Sequence, residues 1–452
     1  MKMTTTYSVY IKHYNSIFKR TVSIYRQAVD FFISVLMENT AIITGLKGLK
    51  AQKTAVERIT VRTSGRPVVP YEFAAADKCF YKFPSYLRRA AIAEAAGKVS
   101  SYLSNLANWE SSDPGSRGKR PGYPKAGYVY PALYKDNMFT ETDAPYTFRI
   151  KIYIRGTWDW LTVDLRKGDI DYIRRRCSER KRLSPTLQKR GRKWSLDFPF
   201  EENVRLLGTD VSEQTVIAVD LGINSACACT AMRPDGTVFG RHFLRLPKEN
   251  DCLAHAVNRV KKAQRLGAKR IPRLWAKANG INDDIAVKTA EFIIDTAVLY
   301  NADVIVFEYL ELRKKKRGSK RQRLHLWKAE YVQSMVTDKA HRLKMRVSRV
   351  NAWNTSRLAF DGSGRVLRGK ESAKTDGNYS LCEFSTGKVY NCDLNASYNI
   401  GARYFIREIL KSLPVTARLR LEAKVPQVRK RSTCTLSDLI SLGAEIAALA
   451  AA

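Results

Sequence analysis

Three acidic residues occupy positions where an unpaired charge would be costly. Asp220 closes the apolar run VIAVD, Glu308 closes VIVFE, and Asp393 opens DLNASYNI at the start of a predicted helix. A carboxylate in apolar surroundings needs a partner, because desolvation without compensation costs several kcal/mol. Taken singly, each has a structural reading: Asp220 begins a turn, Glu308 meets an arginine, and Asp393 caps its helix. Taken together, in this strand, strand and helix order, they point to a shared divalent cation. Hard Mg²⁺ prefers carboxylate oxygens and leaves positions for water and phosphate oxygens. Two such ions about 4 Å apart can activate an attacking water and stabilise a leaving oxygen in an in-line displacement at phosphorus. Other chemistries have less to work with. The five histidines are dispersed, no two within four residues, and the eight cysteines include no C-x-x-C pair, which argues against histidine-based triads and against a disulfide framework.

The elements that must position these carboxylates can be read from periodicity. VIAVD is a short buried strand, and a hairpin follows around Asp235-Gly236. A basic helical stretch from Asp251 to Lys277 is interrupted by Pro272, and an amphipathic helix from Asp283 to Tyr300 leads into the strand Ala302 to Leu310. A helix from Leu326 to Lys344, a strand from Arg346 to Val350 and a Gly- and Ser-rich stretch up to Lys388 precede Asp393. This succession predicts an RNase H-like α/β layer with carboxylates at strand ends. Upstream, Thr6 to Lys12 reads as a strand, Ile24, Ala28, Phe31 and Val35 mark a helix, and Ser85 to Trp109 a second. Strand-like alternation resumes between Tyr146 and Phe200, giving an antiparallel barrel or sheet. The whole is a multidomain α+β protein.

The 452 residues carry 79 Lys and Arg against 43 Asp and Glu, a net charge of +36. That excess is far above what solubility asks for and calls for a polyanion. The cations cluster. Arg117, Lys119 and Arg120 sit with Tyr123 in a Pro/Gly-rich loop, and Arg174 to Lys193 holds ten basic residues in twenty, among them Arg175, Arg176, Lys189, Arg190 and Arg192. Lys261, Lys262 and Arg265 follow on the basic helix, and Lys314, Lys315 and Arg317 in a run with eight basic residues in thirteen. These sixteen residues, Arg174 included, are the candidate nucleic-acid contacts. No window approaches the about 18 apolar residues of a membrane span, and the N-terminus lacks a signal-peptide core. A cytoplasmic protein is expected.

IAVDLGIN, IVFEYLE and CDLNASYNI resemble the three split RuvC motifs of TnpB proteins and compact type V CRISPR effectors. Asp220-Leu221-Gly222-Ile223-Asn224 matches the first motif, Glu308-Tyr309-Leu310 the second, and Asp393 through Asn399 the third, and Arg120 to Lys125 is similar to the family's G-x-P segment. The resemblance spans roughly residues 115 to 405. It implies an RNA-guided DNA endonuclease with Asp220, Glu308 and Asp393 as catalytic, Mg²⁺-holding residues. Guide RNA and double-stranded target DNA would be the partners, a short flanking motif would license cutting, and a monomer is expected. The implied domains are a wedge-type β-barrel (1–14 and 115–208), a helical recognition insert (15–114), a RuvC-like nuclease (209–350 and 389–452) and a target-nucleic-acid-binding insert (351–388). One departure is plain. The family's insert holds zinc through two C-x-x-C pairs, and here only Cys382 stands at the corresponding positions. A four-ligand site worth about 10 kcal/mol or more cannot survive on one thiolate, so no structural zinc is expected. Tyr379, Leu381, Phe384, Val389 and Tyr390 are then the candidates for the insert's core, and Cys392 for a small buried residue.

Overall fold

The computed structural model describes all residues except 14–15, 116, 135, 223–224, 311–326 and 452, and the side chains of 450–452 are likewise outside the description. The chain forms two compact units, Lys2–Asn203 and Val204–Ala452, with Met1 joining the second.

In the first unit, strand β1 (Lys2–Tyr10) pairs antiparallel with β7 (Lys193–Asn203) from Lys2 opposite Asn203 to Tyr10 opposite Ser195. β1 therefore begins four residues before the alternating stretch read from sequence, because nine successive backbone pairs with β7 stabilise it irrespective of side-chain pattern. β5 (Lys181–Arg182) and β6 (Thr186–Arg190) also pair with β7. A second antiparallel sheet holds β2 (Phe139–Glu141), β3 (Thr147–Ile154) and β4 (Thr157–Asp164). Single bridges link Ile11 to Leu165 and Ala132 to Thr186. Helices α1 (Ile17–Glu38), α2 (Leu49–Thr60) and α3 (Ser85–Ser111) form the helical block, and α4 (Lys167–Cys177) follows β4. A nucleus of phenylalanines binds helices to strands: Phe73 stacks on Phe80 with centroids 4.4 Å apart, and Phe83 meets Trp158 edge-on at 4.9 Å.

The second unit is built on a five-stranded sheet ordered β10-β9-β8-β11-β12. β8 (Val216–Asp220), β9 (Cys227–Met232) and β10 (Val238–Leu244) are antiparallel neighbours. β11 (Val304–Tyr309) and β12 (Arg346–Asn351) add on parallel to β8. Side chains on a strand alternate between faces, and here both faces are covered, which explains the unbroken apolar runs. Val216, Ala218, Val304 and Val306 face α8 (Cys392–Ser412), whereas Ile217, Val219, Ile305 and Phe307 face α6 (Pro272–Leu299) and α7 (Ala329–Arg342).

The helices correct one reading. Pro272 does not interrupt a helix; α5 (Pro247–Arg265) ends before it, and Pro272 opens α6. A missing amide costs nothing in a helix's first turn, so proline starts α6 where the sequence reading had it breaking one. α9 (Val415–Lys424) and α10 (Leu436–Ala451) complete the unit.

Residues 351–388 are less irregular than their composition suggests. β13 (Leu367–Arg368), β14 (Leu381–Glu383) and β15 (Val389–Asn391) make a small sheet. Its core is Ala359, Val366, Cys382, Phe384 and Cys392, with Phe360 and Tyr390 packed on it. Phe384, Tyr390 and buried Cys392 were anticipated, but Tyr379 and Val389 are exposed. Tyr379 instead lies against Gly369, where φ is +55° and any Cβ would collide with its ring.

Candidate functional site

The alternation that buries β8 and β11 also aims their last acidic residues. Asp220 has the parity of Val216 and Ala218, and Glu308 that of Val304 and Val306, so both carboxylates point to the face covered by α8. The pairing of Val304 with Val216, carried along the strands, sets Glu308 level with Asp220. Asp393 comes from the first turn of α8, where the Asn391 side chain caps the helix by accepting from the Asp393 and Leu394 amides at 2.9 and 3.0 Å. Gly401 lets α8 lie close to the sheet, since a Cβ there would run into buried Met232 and press on Ala218. Gly222, two residues after Asp220, is equally constrained: its Cβ would meet the Ser225 carbonyl.

Asp220, Glu308 and Asp393 line one cavity of about 830 Å³, together with Thr355, Arg357, Arg368 and Lys370. Each carboxylate keeps part of its surface open to that cavity, yet each lies deep enough that burial is the first cause of a raised pKa. Asp220 is pushed well above the ordinary range, by burial and then by the charges of Glu308 and Asp393. Glu308 is raised by burial, against the opposing effects of the Thr355 hydroxyl, which donates to its Oε1, and of the Arg403 charge. Asp393 is raised by burial, against Arg368 and Arg245.

The third motif does more than supply Asp393. Asn395 accepts from the Phe360 amide at 2.8 Å and donates to the Leu358 carbonyl at 2.9 Å. Asn399 donates to the Thr355 and Leu358 carbonyls at 2.9 and 2.8 Å, and its Oδ1 accepts from the Leu436 amide. One face of α8 thus clamps the segment that carries Thr355, and Thr355 holds Glu308. Arg403, 3% exposed, donates to the carbonyls of Cys434, Asn351 and Trp353. Burial lowers its pKa to about 10.

Sequence reasoning missed Arg368, Thr355, Arg357 and Lys370. Arg368 lies directly before Gly369, whose φ is positive. Its guanidinium lowers the pKa of Asp220, Asp393 and Cys392, it donates to the Tyr379 carbonyl at 3.2 Å, and its Nε is buried without a partner among the described residues. Such a group, buried beside carboxylates, is free to take an anion's oxygen.

The donor chemistry suits a hard dication: three oxygen-bearing side chains whose pKa values burial holds up, with the charges of Glu308 and Asp393 adding to the effect at Asp220. Among the described residues no three His, Cys, Asp or Glu side chains stand close enough together to hold a metal ion by themselves. A dication held by the trio would need water and substrate oxygens as further ligands.

The candidate nucleic-acid contacts are dispersed. Lys119, Arg120 and Tyr123 are exposed in the loop after α3, where Pro121, Gly122, Pro124 and Lys125 face Glu94, Lys98 and Tyr102 across an open cleft of about 840 Å³. Arg117 turns back instead: it donates to the Ser112 carbonyl at 2.7 Å and to that of Glu110, and lies over Trp109, closing the C-terminus of α3. Arg174, Arg175 and Arg176 are exposed at the end of α4, with Arg174 over Tyr146 and Arg176 over Tyr172. Lys189 is half-buried and Arg192 exposed. Arg190 is bound to Asp197 at 2.7 Å. Lys261, Lys262 and Arg265 are exposed on α5. Lys314, Lys315 and Arg317, like Asn224 of the first motif, lie outside the described residues.

The Aq_aa04 family model matches residues 5–154, and aq_aa04 of Aquifex aeolicus (strain VF5), an uncharacterized protein, is 27% identical over 150 residues, covering 29% of this chain and 83% of that protein. From the same organism, the TnpB-like protein aq_aa05 is 26% identical over 243 residues, covering 48% of this chain and 76% of its own length. The chain is thus similar to a TnpB-like protein over about half of its length. Among solved structures, a Cas12f1–sgRNA–target DNA complex covers 88% of this chain and 98% of its own at a TM-score of 0.33 and 15% identity. The mini-RNA-guided endonuclease CRISPR-Cas phi3 covers 88% and 92% at a TM-score of 0.47 and 10% identity. No helix among the described residues is long and apolar enough to cross a membrane.

Proposed function

We propose that this TnpB-like chain is an RNA-guided, Mg²⁺-dependent DNA endonuclease. The observation that carries the reading is the convergence of Asp220, Glu308 and Asp393 on one cavity at the ends of two parallel strands and the start of a helix. Guidance by RNA rests on the family and on the net charge of +36, which suits a structured RNA and a DNA duplex together. Asp220, Glu308 and Asp393 would hold two ions, which when bound activate water and stabilise the leaving oxygen. The protein's own contribution is positional. Thr355 keeps Glu308 oriented, Asn391 fixes the turn that carries Asp393, and Arg357, Arg368 and Lys370 offer charge-assisted hydrogen bonds to a phosphodiester entering the cavity.

In this reading the domains keep the roles given to them above. Residues 1–14 and 115–208 form a wedge-type barrel, 15–114 a recognition insert, 209–350 and 389–452 the nuclease, and 351–388 the target-binding insert. A short motif beside the target would license cutting, as in other RNA-guided effectors. The test is to express the chain with its flanking locus, sequence the RNA that copurifies, and offer duplex DNA matching its variable end. Mg²⁺-dependent cutting of the matched duplex, and none of a mismatched one, is expected. Binding of matched DNA without cutting would leave a targeting module only, and copurified RNA of random sequence would overturn guidance.

A further inference from the structure

Beside the carboxylate cavity lies a second one, of about 470 Å³, between α5, α6 and the start of α7. Leu221, Gly222 and Trp327 line both, so the two adjoin directly after Asp220. Its walls are largely apolar, with polar groups from Asn250, Asp251, Asn258, Asn282 and Thr289 and the ammonium groups of Lys261 and Lys328. A volume of this order is typical of small-molecule sites, roughly 300–1,000 Å³. An occupant flat and apolar on its faces, polar on its edges, and attached to a group in the neighbouring cavity would match this lining.

We propose that this cavity receives a single unstacked nucleobase from the strand whose phosphodiester lies among the carboxylates; the inference rests on the nuclease reading. A base offers apolar faces to the aliphatic wall and to Trp327, and base stacking on aromatic side chains is tolerant of sequence. Its edge presents both donors and acceptors, and an amide can answer either. Lys261 shares the exposed face of α5 with Lys262 and Arg265, a cationic track for the flanking phosphates. A phosphate fits the interior poorly, because Asp251 also borders it and the wall is apolar. Extrusion of one nucleotide holds the backbone bent at the adjoining bond, which fixes the position of cutting.

The test uses the full-length ribonucleoprotein and a target strand scanned, one position at a time, with 2-aminopurine and with abasic nucleotides. Ala254→Trp fills the cavity from an exposed position on α5. Bound to the Asp220→Ala protein, 2-aminopurine should brighten several-fold at one position beside the cutting point, and the double variant Asp220→Ala/Ala254→Trp should abolish the rise. In the protein with its carboxylates intact, an abasic nucleotide at that position should slow cutting about tenfold, and should slow the Ala254→Trp protein no further. A flat 2-aminopurine scan, or equal abasic sensitivity with and without the tryptophan, overturns the base site. Thermal unfolding checks that Ala254→Trp folds, and Asn258→Leu replaces it if it does not. Failure of the wild-type protein to cut matched DNA would instead sink the nuclease reading, so the two failures are distinguishable.

Discussion

Asp220, Glu308 and Asp393 have surrendered most of their water at strand and helix ends, whereas Arg120, Arg175 and Arg192 keep theirs in the loops and edges of the first unit. The first set is bound by geometry. Each carboxylate has a raised pKa and a fixed place at a strand or helix end, and Glu308 is held by the Thr355 hydroxyl. The second set is bound by number: a phosphate backbone needs cations at roughly the right density, and one arginine can stand in for another. The contrast teaches where single substitutions will be decisive and where they will only add up.

The carboxylate side of this contrast predicts the largest effects. Asp220→Ala should lower the cutting rate at least ~10³-fold while leaving copurified RNA unchanged, measured by single-turnover cleavage of matched DNA. If the rate survives, the carboxylate trio is not the site. Asn399→Ala probes the support rather than the site. It removes the donors to Thr355 and Leu358 in a fully buried position and should cost about 3 kcal/mol in denaturant unfolding. Because Thr355 orients Glu308, the surviving folded fraction should also cut more slowly.

The same contrast explains what the sequence made legible. Burial forces a carboxylate in VIAVD or VIVFE to have a purpose, so Asp220, Glu308 and Asp393 could be named from residue type and apolar context. The α/β layer could be read from the succession of elements, and the burial of β8 and β11 from their continuous apolar runs, but the strand order could not. Arg368 was not legible, since it belongs to a loop whose path depends on contacts with Tyr379, ten and more residues away. Nor was the alternative use of Arg117, whose hydrogen bonds to Ser112 and Glu110 exist only once α3 has ended. Pro272 misled because a proline after a basic helical run reads the same whether it breaks one helix or begins the next.

A further prediction sharpens the carboxylate side alone. Because burial raises the Asp220 pKa, the folded protein without metal holds a proton that the unfolded chain has released. The contribution of this group to stability is therefore most favourable near and below the ordinary aspartate value of about 4 and declines as pH rises from there towards its raised folded-state value, by about 1.4 kcal/mol per pH unit for each proton so held. Melting curves in EDTA should show this decline, and Asp220→Asn should flatten it. Millimolar Mg²⁺ should reverse it, since a dication favours the ionised carboxylates. A metal-independent melting temperature would separate the trio from any cation.

The smallest effects lie among the surface cations, and there the structure divides residues that the sequence grouped together. Arg190 and Arg192 are two positions apart on either side of Gly191, yet among the described residues only Arg190 has an internal partner, the 4%-exposed Asp197 carboxylate. Arg190→Ala leaves that carboxylate with the Ser195 hydroxyl alone and should cost about 1 kcal/mol of stability, with little change in RNA affinity per folded molecule. Arg192→Ala should do the reverse, leaving the melting temperature in place while weakening RNA binding about twofold and lowering the salt dependence by about one ion. If both variants behaved alike, charge density alone would govern this surface, and the internal ion pair would count for nothing in how the first unit holds its polyanion.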